Sequence, residues 1–119
     1  MQILVITWSP NGQWQALSPE AQRNYLKSLD EYINAGRAAG MVVLGWSEID
    51  QTLPKAAEHG FVGVFGVDNA EQVHELEKMV AEAQWYKYFD STNISINLQG
   101  STEAEPHKIY ANLLDVHLN

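Results

Sequence analysis

Three segments that are apolar at almost every position constrain the fold of this chain more than any other feature. They span residues 3–8 (ILVITW), 41–46 (MVVLGW) and 61–67 (FVGVFGV). Each is short and rich in β-branched residues, which favours a strand over a helix. A strand with one face in water alternates apolar and polar residues, so these segments predict three strands that are buried on both faces.

A fourth strand is predicted near the end of the chain. Residues 93–98 alternate polar and apolar side chains, which is typical of a strand with one polar face. The aromatic stretch 85–90 comes before it and shares its alternation if the strand begins that early. Two shorter segments are also assigned: Trp14 is expected in a loop that runs to Ser18, and residues 55–59 in a single helical turn.

Two main helices and a terminal helix are predicted from their start signals and apolar stripes. The first begins with Ser18 as the N-cap and Pro19 in the first helical position. The second begins with Asp68 as the N-cap, and Glu71 completes a capping box. A third, short amphipathic helix is predicted for about residues 102–117.

The order of these elements is β-α-β-β-α-β followed by a helix. This order predicts an α+β, ferredoxin-like fold, with a four-stranded antiparallel sheet and both main helices on one face. One domain covers residues 1–119, with a core of about 1–98 and a C-terminal helical extension of about 102–117. Because three strands are apolar on both faces, the second face of the sheet must also be covered. A second copy of the chain is the simplest cover, so we expect a homodimer. The alternative is that the terminal helix covers this face in a monomer.

Charge and composition exclude several classes of function. Seven Lys and Arg against 15 Asp and Glu give a net charge of −8, which argues against nucleic acid and anionic membranes as partners. The absence of cysteine excludes disulfides and thiolate metal sites. No apolar run approaches the ~20 residues that span a bilayer, and the N-terminus does not look like a signal peptide. We therefore expect a soluble, cytoplasmic protein.

The element order, the size and the two-sided strands resemble the dimeric α/β-barrel superfamily. Its members include stress-responsive barrel proteins, antibiotic-biosynthesis monooxygenases, polyketide cyclases, muconolactone isomerases and YCII-like proteins. The segments 6–10 (ITWSP), 44–46 (LGW), 60–61 (GF) and 85–89 (WYKYF) resemble a bacterial branch of that superfamily without an assigned function. The resemblance implies a homodimer with a central barrel, and an apolar pocket between the sheet and the helices of each protomer. Plant-type polyketide cyclases of this fold carry a His on the third strand, where this chain has Gly63.

Aromatic residues at strand ends are the candidate ligand-binding residues. Strand ends that rim a sheet are natural pocket mouths, and aromatic walls suit a flat ligand. The candidates are Trp8, Trp46, Phe65, Tyr86 and Tyr88. The alternative is that these rings fill the core or a dimer interface.

Candidate residues for proton transfer are His59, Glu48 and Asp90. His59 comes just before the third strand, and an unperturbed imidazole with a pKa of about 6.5 suits acid–base chemistry. Glu48 follows Trp46 by two residues and therefore shares a strand face with it. The alternatives are a loop His without a role and a solvated strand-end Glu. The four His lack the spacing of a metal site, and no phosphate-binding or dinucleotide motif is present. We therefore expect neither a metal nor a cofactor.

Two functions remain open at this point. The first is an enzyme of the cyclase, isomerase or cofactor-free monooxygenase type that acts on a hydrophobic or aromatic small molecule. The second is a non-catalytic, stress-associated or ligand-binding dimer. A purely structural subunit of a larger assembly is a weaker third, because the sequence contains no coiled coil or tail.

Overall fold

A computed structural model describes residues 1–98 of the chain. The elements are strand β1 (Gln2–Pro10), helices α1 (Gly12–Gln15) and α2 (Pro19–Ala38), strands β2 (Val42–Glu48) and β3 (Phe61–Val67), helices α3 (Ala70–Glu82) and α4 (Trp85–Tyr88), and strand β4 (Phe89–Asn97). The predicted terminal helix of about 102–117 lies outside the described residues.

The four strands form one sheet in the order β2-β3-β1-β4. Every neighbouring pair in it is antiparallel. With α2 and α3 as the two main helical connections, this is the ferredoxin-like β-α-β-β-α-β arrangement, and the predicted fold class is confirmed.

Helix α2 begins as the sequence predicted, whereas α3 begins one residue later. The Ser18 hydroxyl accepts the Ala21 N–H, and Pro19 occupies the first turn. For α3 the N-cap is Asn69, whose side chain accepts the Gln72 N–H. The Asp68 N–H in turn donates to the Gln72 side chain at 2.8 Å. Residues 68–72 contain two overlapping N-cap patterns, one that starts at Asp68 and one that starts at Asn69. Helix α3 begins with the second.

The structure decides three other local points that the sequence addressed. Trp14 lies in the short helix α1, because the Asn11 side chain accepts the N–H groups of Gln13 and Trp14 and starts a helical turn. In the stretch 55–59, Lys55 ends a turn, residues 56–57 are irregular and residues 58–59 form a bend, so no helical turn is present. The stretch 85–88 is helical, so β4 begins only at Phe89.

A β-bulge in β2 decides which of its side chains face the helices. The register passes from Val43 opposite Phe65 to Gly45 opposite Val64, so Leu44 is an extra residue. Gly45 has a φ of +155°, a conformation that favours glycine. As a result Val43 and Trp46, three residues apart, face the same side of the sheet.

The sheet has two apolar faces, which we call the helix-side face and the open face. The helix-side face carries Leu4, Ile6 and Phe65, which pack with Val73 and Leu76 of α3 in the buried core. The open face carries alternate residues of the same strands, among them four with large exposed fractions: Val42 (51%), Leu44 (51%), Ile94 (46%) and Ile96 (37%).

Candidate functional site

An apolar cavity of about 310 Å³ lies between the helix-side face and the two main helices. The sheet supplies its floor through Ile6, Trp8, Trp46 and Phe65. Ile6 and Phe65 are at most 9% exposed, so the floor is part of the protein core.

The helices supply the roof of this cavity. The apolar stripe of α2 contributes Leu26, Leu29, Tyr32 and Ile33 at helical spacing. The facing stripe of α3, with the residue that follows it, contributes Leu76, Met79, Val80 and Ala83. Gly36 is the one buried residue of α2, so this helix spans the cavity instead of pressing its stripe onto the sheet.

Three residues of the wall mark the mouth of the cavity because they are also exposed to solvent. Leu26 is 47% exposed and Tyr32 37% exposed on α2, and Trp46 is 54% exposed on β2. The indole ring of Trp46 and two side chains of α2 therefore lie where the cavity opens to solvent.

The aromatic rings of the floor hold one another in place. Trp46 meets Phe65 edge to face, with ring centroids 5.5 Å apart. Trp8 meets Trp85 in the same way at 5.2 Å. Gly63 makes room for this packing, because a Cβ atom there would lie 3.1 Å from the Phe65 ring. Aromatic side chains therefore approach the third strand closely at Gly63.

A hydrogen bond joins the two main helices next to the cavity residue Ala83. The Tyr25 hydroxyl of α2 donates to the Ala83 carbonyl oxygen at the end of α3, at 2.8 Å. The Tyr25 ring packs against Tyr88, with centroids 4.8 Å apart, and against Trp14 at 6.0 Å. Burial, with smaller repulsions from Tyr88 and Tyr32, raises the pKa of Tyr25 to about 12.

His59 does not lie at the cavity. Its Nδ1 atom is 3.2 Å from Ser9 Oγ, and its Nε2 atom is 3.2 Å from Thr92 Oγ1. Ser9 Oγ also accepts the Gly60 N–H at 3.2 Å. In β1, Ser9 alternates with the cavity residue Trp8, and Thr92 pairs with Thr7, so both hydroxyls are on the open face. The sheet therefore separates the imidazole from the cavity.

The two candidate carboxylates are on different faces of the sheet. Glu48 pairs with Phe61 and shares the helix-side face with Trp46, as its spacing predicted, but it is exposed and does not line the cavity. Asp90 is exposed and pairs with Ser9 on the open face. The structure therefore brings His59 and Asp90 to the same face and leaves Glu48 on the other.

Tyr86 and Tyr88 lie outside the cavity wall. The Tyr86 hydroxyl donates to Glu77 Oε2 at 2.7 Å and accepts from the Asn93 amide at 2.9 Å. Partial burial, followed by the contact with Glu77, raises the Tyr86 pKa. Tyr88 belongs to the aromatic cluster around Tyr25. Because residues 85–88 are helical, these two tyrosines do not share a strand face with Asp90.

Comparison with known proteins places the chain in a family. Residues 1–113 match the family of unknown function DUF6616. The chain belongs to the DUF6616 family. No curated protein sequence matches it.

This DUF6616 chain is similar in structure to two solved proteins. The first is At3g17210 from Arabidopsis thaliana, with a TM-score of 0.58 and 14% identity, over 84% of this chain and 97% of that one. The second, described as a Dabb-family protein with a ferredoxin-like fold, is from Mesorhizobium loti. It has a TM-score of 0.48 and 14% identity, over 84% of this chain and all of that one. At this identity, the likeness to At3g17210 supports the fold alone.

Within residues 1–98 of the DUF6616 chain, no helix is long and apolar enough to cross a membrane. The same residues contain no group of three or more His, Asp or Glu side chains placed to hold a metal ion.

Sequence reasoning named three residues of the wall, Trp8, Trp46 and Phe65, and missed the helical half. Leu26, Tyr32 and Ala83 line the cavity from above. Their signal was present as the apolar stripes of the two helices. A stripe predicts only that a side chain faces the sheet, however, and not whether it touches the sheet or a space above it.

Proposed function

We propose that this protein binds an apolar, aromatic small molecule in the cavity between its sheet and its helices. The observation that carries the proposal is the wall itself: about 310 Å³ of space enclosed by aliphatic side chains and aromatic rings, with a mouth at Trp46. This volume falls at the lower end of the ~300–1,000 Å³ of small-molecule sites. Rigid rings favour flat ligands, because stacking on them costs little conformational entropy.

Binding is better supported than acid–base catalysis. A general acid or base must come within hydrogen-bond reach of the reacting atom, directly or through one water. His59 and Asp90 lie on the open face, and Glu48 is outside the wall. A cofactor-free cyclase, isomerase or monooxygenase that uses these three groups therefore finds less support than a binding protein.

The binding proposal is tested with N-phenyl-1-naphthylamine, a neutral probe whose fluorescence rises in apolar surroundings. We expect saturable binding to the wild-type protein, and binding at least about tenfold weaker to Leu26→Asp. A carboxylate at the mouth must lose part of its hydration when the ligand enters.

The matched control is Leu53→Asp. Leu53 is also an exposed leucine, at 64% against 47% for Leu26, but it is not part of the cavity wall. Equal loss of binding in both variants, or no saturable binding to the wild type, would refute the proposal.

We also propose that a second copy of the chain covers the open face. The support is the set of exposed apolar residues on the two edge strands of that face, Val42 and Leu44 on β2 and Ile94 and Ile96 on β4. The transfer of apolar surface out of water is worth about 25 cal/mol per Å².

The dimer is tested by light scattering after gel filtration. The wild type is expected at twice the chain mass of 13.4 kDa, and Leu44→Asp at the chain mass, because Leu44 is 51% exposed on the open face. Leu53→Asp is expected to remain dimeric. A wild type that elutes at the chain mass at micromolar concentration would refute the dimer.

A further inference from the structure

The open face carries a cluster of polar side chains at one end. Its exposed valine, leucine and isoleucines lie in the half of the sheet where β1 begins. Toward the other end of β1, Ser9 pairs with Asp90 and Thr7 pairs with Thr92. The His59 imidazole, which precedes β3, contacts the same two strands. These five residues, which we call the polar end, are separated from the cavity by the sheet.

The imidazole of His59 is held at both of its ring nitrogens. Nδ1 is 3.2 Å from Ser9 Oγ, and Nε2 is 3.2 Å from Thr92 Oγ1. The backbone beside the ring is fixed as well. The Gln51 side-chain amide donates to the His59 carbonyl oxygen at 3.0 Å, and the Gly60 N–H donates to Ser9 Oγ at 3.2 Å. The ring therefore lies between one hydroxyl of β1 and one hydroxyl of β4.

This arrangement lets Ser9 give its proton to the imidazole. Ser9 Oγ accepts the Gly60 N–H, and its own O–H donates to His59 Nδ1 when the ring proton is on Nε2. In this tautomer Nε2–H donates to Thr92 Oγ1, so each nitrogen of the ring has a hydrogen-bond partner. A hydroxyl within reach of a base that a third group orients is the arrangement of an activated nucleophile.

Exposure and charge limit what can react at the polar end. Ser9 and His59 are half-buried, and Asp90 and Thr92 are exposed, so a small molecule can reach the Ser9 hydroxyl from solvent. Asp90 is paired with Ser9, and the Cβ atoms of such a pair are about 4.5–5.5 Å apart. A carboxylate this close repels an anionic substrate and favours an imidazolium ion. The substrate that fits is therefore small and not anionic.

We propose that Ser9 is a nucleophile and His59 its general base, in a second site that hydrolyses small uncharged esters. Ser9 Oγ forms a bond to the acyl carbon, its proton passes to His59 Nδ1, and the bond between the acyl carbon and the leaving oxygen breaks. His59 then gives the proton to the leaving alcohol. Water attacks the acyl carbon with the same help, which releases the acid and restores Ser9. Thr92 is a positioning residue that orients the ring through Nε2.

The nucleophile is tested with diisopropyl fluorophosphate, a neutral probe that phosphorylates activated serine hydroxyls and releases fluoride. We expect the wild type to be labelled at Ser9, as located by peptide mass spectrometry, and Ser9→Ala not to be labelled. His59→Gln should react at least about hundredfold more slowly, because the amide can form hydrogen bonds but is not a base.

Two matched controls use a serine and a histidine outside the polar end. Ser47 is exposed on β2, and its hydroxyl donates to the Glu48 carbonyl oxygen. His74 is exposed on α3. Ser47→Ala and His74→Ala should be labelled at the wild-type rate, and circular dichroism checks that each variant is folded.

The role of Thr92 and the turnover of an ester are measured separately. Thr92→Val should slow labelling about fivefold, as the loss of one hydrogen bond of about 1 kcal/mol implies, and Thr92→Ser should restore the rate. With 4-nitrophenyl acetate, the wild type should release 4-nitrophenolate repeatedly and faster than Ser9→Ala.

Three results would overturn the proposal. They are a wild type that is not labelled at Ser9, labelling of His59→Gln at the wild-type rate, and ester turnover by the wild type no faster than by Ser9→Ala. Each of them would leave the binding function of the cavity standing, because the cavity lies on the other side of the sheet.

Discussion

The two faces of the sheet are built from the same strands and are similarly apolar, but the protein uses them differently. On the helix-side face, Ile6 and Phe65 are 4% and 9% exposed. On the open face, Val42 and Leu44 are each 51% exposed. The first face is covered by helices of the same chain, whereas no helix among the described residues covers the second. The apolar strands therefore determine how much surface must be buried. The connections between the strands determine which face of the sheet the helices of the same chain bury.

Even the covered face is filled unevenly. Helix α3 presses Val73 and Leu76 into the core, whereas α2 buries only Gly36, is joined to α3 by the Tyr25 hydrogen bond and borders the cavity. Within residues 1–98, the cavity and the outer strands of the open face are two places where apolar surface lacks a partner. We propose a small molecule for the first and a second chain for the second.

The largest expected effect tests the difference in burial between the faces. Leu4→Ala should lower the free energy of unfolding by about 2–5 kcal/mol, because Leu4 is 2% exposed and its removal leaves a cavity in the core. Val42→Ala, at a 51% exposed position, should lower it by less than about 1 kcal/mol in dilute solution. Urea unfolding measures both, and equal losses would contradict the comparison.

The next effect tests whether the faces act independently. Leu26→Asp should weaken probe binding at least about tenfold, or about 1.4 kcal/mol, and leave the mass in solution unchanged. Ile94→Asp, on the open face of β4 and outside the cavity wall, should halve the mass and leave probe binding per chain within about twofold, since well-separated sites seldom couple. Loss of both properties in either variant would show that the cavity depends on the partner chain.

A smaller effect is expected at the end of the cavity. Tyr25→Phe removes the hydroxyl that donates to Ala83 and should lower the free energy of unfolding by about 1 kcal/mol. Tyr32→Phe is the control, because Tyr32 is 37% exposed at the mouth. It should change stability by less than about 0.5 kcal/mol. A larger loss in Tyr32→Phe than in Tyr25→Phe would contradict the role of this hydrogen bond.

A final effect appears only in alkali. The folded-state pKa of Tyr25 is about 12 against an ordinary value of 10.0, so folding favours the protonated phenol. Its contribution to stability is fully present below about pH 10 and is lost as the pH rises toward 12. Phenolate absorbance should show a late-titrating tyrosine in the wild type that is missing in Tyr25→Phe. If the Tyr25→Phe variant still contains a tyrosine that titrates at this high pH, Tyr25 is not the late-titrating residue.

Part of the site could be predicted from the sequence, for a physical reason. Strand-end position and alternation pointed to Trp8, Trp46 and Phe65, because these signals are local. His59 was a reasonable acid–base candidate by type, but its side in the fold depends on hydrogen bonds to Ser9 and Thr92, which are 50 and 33 residues away in the sequence. No local pattern contains that information.

By itself, the sequence determined the element order, the two-sided apolar strands and the cap that starts α2, because these depend on neighbouring residues and on strand or helix periodicity. Only the tertiary structure decided that the bulge at Leu44 turns Trp46 toward the helices. It also decided that Trp85–Tyr88 is a helical turn and that α2 spans a cavity. These outcomes depend on register and on how distant elements pack, which no stretch of residues specifies alone.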